Sequence, residues 1–135
     1  METPEAVNDD TNLGVCAQNA LKKQHNEIKN LLAISEPIFR NIAGACTSAT
    51  IIHSTEYDKI FDDKTGQSLL ERADNFINCI MSVVKVCPDQ LEVFLNIVVN
   101  KGNIAFERIA KLMSQSFNNE VPEHACIKLT GIQKN

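Results

Sequence analysis

A chain of 135 residues with 44% hydrophobic content is long enough for one compact domain with a genuine core, and two domains are not expected. No apolar run reaches the ~18 to 20 residues of a transmembrane helix, and Met1 to Gly14 lacks the basic and apolar regions of a secretory signal, so the expected address is cytoplasmic. The formal charge of −4 comes from the start, where Glu2, Glu5, Asp9 and Asp10 precede the first base; the rest is neutral, a poor partner for nucleic acid and weakly protected against self-association.

Residues 1–12 are polar, acidic and without periodicity, which predicts a flexible tail ahead of a helical domain over 13–117. The first helix is expected from Ala17 to Leu32, with Ala17, Leu21, Ile28, Leu31 and Leu32 on one stripe. Ser35 as N-cap, Glu36 in the first turn and Pro37 near the first helical position predict a second helix to about Ala45, with Ile38, Phe39, Ile42 and Ala43 inward. The β-branched stretch Thr47 to Ile52 suits an extended connection that tucks Ile51 or Ile52 into the core.

Ser54 is the expected cap of a short third helix bearing Tyr57, Ile60 and Phe61, and Asp62 to Ser68 reads as a polar loop around Gly66. The clearest pattern is the fourth helix, Leu69 to about Val86, carried by Leu69, Ala73, Phe76, Ile77, Ile80 and Val84. Pro88 and Asp89 open a fifth, with Leu91, Phe94, Leu95 and Val98 buried; the apolar triplet at 97–99 belongs to this stripe and not to a strand. Gly102 is expected to end it in the left-handed C′ conformation, and Asn103 to cap a sixth helix with Ile104, Phe106, Ile109, Ala110, Met113 and Phe117 inward. Beyond Asn118 the pattern fades, so 118–135 reads as a C-terminal tail or linker. Six helices and no convincing strand predict an all-α antiparallel bundle.

Chemistry-bearing residues are sparse. Cys16, Cys46, Cys79, Cys87 and Cys126 form no CxxC pair and read as reduced thiols, with Cys79 set among core-facing residues. His25, His53 and His124 sit in no metal-binding frame, and His124 with Cys126 supplies only two ligands, so neither a metal nor a cofactor is expected. Gly66 and Gly102 are isolated, which is no phosphate-binding loop. Charge is more informative. Lys22 and Lys29 lie seven apart on the first helix with Lys23 beside them, a basic row. On the third, Asp58 and Asp62 are four apart and Glu56 and Asp63 seven apart, two acidic rows on a helix too short to hide them.

The stretches "LKKQHNEIKNLLAISEPIFRNIAG", "IIHSTEYDKIFDDKTGQSLLERADNFINCIMSVV" and "DQLEVFLNIVVNKGNIAFERIAKLM", in this order, resemble a caspase recruitment domain (CARD), a branch of the death fold. The resemblance covers roughly Leu21 to Met113 and rests most on "STEYDKI" and on "LLERADNFINCIM" leading to "LEVFLNIVVNKGN". It implies a six-helix death-fold bundle that acts as an intracellular adaptor, binds other CARD-containing proteins or itself, often in helical oligomers or filaments, and has no catalysis of its own. It also implies that the fourth helix contributes to the binding patch, which brings in Arg72 between Glu71 and Asp74.

Two other readings compete. A regulator resembling the Bcl family would bind an amphipathic peptide helix in an apolar groove, but such proteins bury an all-apolar central helix, and the fourth helix here is two-faced. A small helical enzyme or ligand carrier would need a polar cluster that the sequence does not supply.

Overall fold

The structure, a computed structural model, describes residues 4–130, with side chains from Leu13 onward. Seven α-helices follow one another: α1 Pro4–Lys23, α2 His25–Ile34, α3 Glu36–Ser48, α4 Ser54–Ile60, α5 Leu69–Val86, α6 Asp89–Lys101 and α7 Ile104–Asn118. Two single turns of 3-10 helix, Asp63–Thr65 and Glu123–Ala125, accompany them, and no strand occurs among the described residues. The fold is all-helical.

The seventh helix arises because the expected first helix is two. Gln24 (φ −108°, ψ 14°) leaves the helical ladder, its N–H returns to the Leu21 carbonyl at 3.2 Å, and α2 starts at His25. Helix α1, described from Pro4, also covers most of the segment expected to be a tail. Ser35 caps α3 as expected, accepting from Ile38 N–H at 3.4 Å. That helix runs to Ser48, not to about Ala45, and the chain then turns through Thr50 at φ 60° to bury both Ile51 and Ile52.

The N-cap of α4 is His53 rather than Ser54: the Glu56 carboxylate accepts from His53 N–H at 2.9 Å. Helix α5 keeps its expected limits because Ser68 and Glu71 cap each other reciprocally, at 3.1 and 2.8 Å.

Gly102 corrects its expectation. Its backbone is extended (φ −94°, ψ −171°), not left-handed. What requires glycine is proximity, since a Cβ there would lie 2.5 Å from the Phe106 Cβ and 2.7 Å from the Val98 carbonyl oxygen. Asn103 caps α7 as expected, its side-chain oxygen accepting from Ala105 and Phe106 N–H at 3.0 and 3.4 Å. Ile104 points outward, 67% exposed, because it occupies the first residue of α7, ahead of the stripe that begins at Phe106.

The core is one continuous hydrophobic cluster from α1 to Ile127. Phe61, Phe39, Phe76 and Phe94 form an aromatic chain through it, with successive ring centroids 4.9, 5.6 and 6.1 Å apart. Helix α5 lies at its centre, packed mainly by α1 and α2 and touched by α3, α4 and α6. The α1 to α5 approach is close: a Cβ on Gly14 would meet the Lys85 carbonyl oxygen at 2.1 Å, and Gln18 donates to the Met81 carbonyl at 3.3 Å.

The segment after α7 is not a free tail over its described length. Ile127 is 7% exposed, and Val121 and Leu129 pack against the core. Its backbone is caught by side chains of α6 and α7.

Candidate interaction surface

The acidic residues of the third predicted helix gather on α4 and the turn after it, but not in two helical rows. Helix α4 ends at Ile60, before Asp62 and Asp63. Glu56 is half-buried and spent on the helix start, and Asp62 caps the following turn by accepting from Lys64 N–H at 2.9 Å. Asp58 and Asp63 remain as outward charges, each followed directly by a lysine, Lys59 and Lys64, all four exposed. The result is a ledge of mixed sign in which each outward acid has a lysine beside it.

Arg72 underpins this ledge rather than joining the surface. Its side chain is buried, donating from Nη1 to the Ile60 carbonyl at 3.0 Å and from Nε to the Gln67 carbonyl at 3.2 Å, while Nη2 lies 3.9 Å from the exposed Asp63 carboxylate. One guanidinium thus bolts the end of α4 and the loop behind it to α5. Its five donors suit a buried site where several carbonyls converge. Arg40 supports the same corner from α3: its guanidinium stands 4.4 Å from the Phe61 ring centroid and pairs with Glu36 at 2.8 Å, which raises its already high pKa.

The basic residues are spread apart by the break at Gln24. Lys22 is exposed near the end of α1. Lys23 turns to α7, reaching Ser116 Oγ at 3.1 Å and the Glu120 carboxylate at 3.5 Å. Lys29, on α2, lies 3.8 Å from Asp74 of α5, which also has His25 Nε2 at 3.1 Å. Lys22 and Lys29 therefore do not form one row, because they belong to different helices. Surface pairs of this kind contribute ~0 to 1 kcal/mol each.

Behind the ledge, an open depression of about 520 Å³ is lined by Glu56, Lys59, Ile60, Thr65, Gln67, Asn75 and Cys79. Cys79 is half-buried there rather than enclosed; burial raises its thiol pKa, with Glu56 adding to the rise and Lys59 opposing it. Cys46 is fully buried, and burial pushes its thiol up to about 12. Burial is also the main cause that raises Cys16, helped by Glu120. All five cysteines are free thiols, and among the described residues no group of three or more His, Cys, Asp or Glu side chains converges on a point.

The sequence reading missed a second constellation. On α6 and α7, Glu92, Asn96 and Asn118 hold the extended backbone of residues 127–130. No spacing rule marks these side chains, since each pairs with a backbone 9 to 36 residues away. Comparison with protein-family models, curated proteins and solved structures finds no match. No helix among the described residues is long and apolar enough to cross a membrane.

Proposed function

We propose that the chain is a non-catalytic interaction module of the CARD type, a death-fold bundle that joins itself or another CARD-containing protein in cytoplasmic apoptotic or innate-immune signalling. The observation that carries this reading is the α4 ledge: Asp58 stands outward on α4 and Asp63 on the turn after it, and the buried Arg72 holds the end of α4 in position. A rigid charged turn loses little conformational freedom on docking. Lys22, on α1, supplies the opposite sign at a separate corner, where its neighbour Lys23 contacts α7 while α4 packs on α3 and α5. An acidic corner of one copy can then meet a basic corner of the next, and such a heterologous contact repeats into rings or open helices. The two-faced α5, with Asn78 and Glu71 exposed, favours this packing over a groove-bearing regulator built around an apolar central helix.

The test is charge reversal. Asp58→Lys with Asp63→Lys, or Lys22→Glu, should reduce self-association or partner binding measured by light scattering at low salt, and high salt should reduce that of the parent. Mixing the two reversed variants should restore part of the contact. Circular dichroism checks that both remain folded. If both associate like the parent at low salt, charge pairing is not the mechanism.

A further inference from the structure

We infer that the groove between α6 and the C-terminal end of α7 is a binding site for an extended peptide, and that its occupant, residues 126–130, exchanges with the same segment of a second copy of this chain. The seat is built to read a backbone. Asn118 uses both halves of its amide on one residue, accepting from Ile127 N–H at 2.7 Å and donating to the Ile127 carbonyl at 3.1 Å. Asn96 spans the next stretch, donating to the Lys128 carbonyl at 3.3 Å and accepting from Thr130 N–H at 2.6 Å. Glu92 accepts from Lys128 N–H at 3.2 Å. Between them the Ile127 side chain is sunk to 7% exposure, while the Lys128 side chain points to solvent and Leu129 packs partly. Main-chain hydrogen bonds with pockets for selected side chains are the means by which proteins capture extended peptides.

The attachment of this segment to the rest of the chain favours exchange. Residues 119–125 are a turn, Pro122 and one turn of 3-10 helix, and most of their side chains are exposed, so the segment can lift without unwinding α7. A second copy carries the same segment and offers the same seat, so each hydrogen bond broken within one chain forms again between the two. This is the energetic condition for a swap. The tether favours the internal occupant by an effective concentration on the order of 1 mM, so exchange emerges near that concentration or when internal seating is blocked.

Two full-length variants separate the roles. Asn96→Ala with Asn118→Ala disables the seat and leaves the segment intact; Ile127→Asp disables the segment and leaves the seat intact. Neither can swap with itself, but the segment of the first fits the seat of the second. Sedimentation velocity at high salt, which removes the charged-corner contact, with chains at about 1 mM should show each variant as a monomer and their equimolar mixture as a 1:1 dimer, with circular dichroism confirming helix content. A mixture that stays monomeric while both variants are folded overturns the proposal. Should either variant fail to fold, the native chain decides: a synthetic peptide of residues 123–130 at millimolar concentration should speed hydrogen exchange at the chain's own Ile127, Lys128 and Thr130 amides, and unchanged exchange would overturn it. Salt separates this contact from the charged-corner one, because seating by hydrogen bonds to the backbone and by the buried Ile127 side chain persists at high salt.

Discussion

The aromatic centre and the C-terminal segment both lean on α6, yet they are held by different physics. Phe39, Phe76 and Phe94 are almost wholly buried and in contact, so they stabilise by apolar area removed from water and by close packing. Residues 127–130 bury mainly one side chain, and their backbone is instead gripped by Glu92, Asn96 and Asn118. The first kind of attachment is cooperative, since removing one ring leaves a void that its neighbours feel. The second is local, because water can replace each of its hydrogen bonds once the segment lifts.

Truncating the centre should show the largest effect. Phe94→Ala is expected to cost about 3 to 5 kcal/mol in denaturant unfolding, with the whole molecule melting in one transition. A loss below ~1 kcal/mol would mean that the centre is no more cooperative than the segment.

Next comes a test of how tightly the bundle is closed around α5. A methyl group on Gly14 cannot coexist with the Lys85 carbonyl at its present distance. Gly14→Ala should therefore push α1 away from α5 and cost roughly 1 to 3 kcal/mol, seen as a lower melting temperature and faster exchange along α1.

Asn118→Ala sharpens the contrast from the other side. It removes both hydrogen bonds to Ile127. The expected global cost is about 1 kcal/mol or less, yet exchange at the Ile127 amide should approach that of an open loop. A global loss as large as that of Phe94→Ala would make the segment part of the cooperative core.

The smallest effect at neutral pH, and one that grows with alkali, comes from Cys46. Its thiol titrates at about 12 in the folded chain against an ordinary value of 9.0. The folded state keeps the proton while the unfolded state releases it, so stability is unaffected below pH 9 and falls between pH 9 and 12. The slope over that window is up to about 1.4 kcal/mol per pH unit. Melting curves at pH 8, 9 and 10 should show the fall, and Cys46→Ala should flatten it. In an alkylation time course at pH 8, the exposed Cys87 should react first and Cys46 last.

The division between the two regions also decides what the sequence reveals. Helix α5 is readable to its limits because a reciprocal cap at Ser68 and a helical apolar stripe coincide. The break at Gln24 is hidden because Ala17, Leu21, Ile28 and Leu32 are apolar at helical spacing and buried on both sides of it, so the sequence pattern shows no interruption where the hydrogen-bond ladder has one. Arg72 could have been placed correctly: it lies three residues after Leu69 and four before Phe76, on the stripe itself, although its charge and the flanking Glu71 suggest a surface. The seat on α6 and α7 is illegible for a deeper reason. Asn96 and Asn118 recognise backbone, and backbone groups are the same at every position of a sequence.

The close approach at Gly102 also bears on the order of folding. Helices α6 and α7 are sequence neighbours joined by a two-residue corner and packed along their lengths, so closing that hairpin costs little loop entropy. Helix α1 finds α5 only after the 45 intervening residues have been gathered in, a far slower search. The hairpin is therefore the natural nucleus and the α1 to α5 seam a late event. Crowding at Gly102 should then retard folding, whereas crowding at Gly14 should chiefly hasten unfolding.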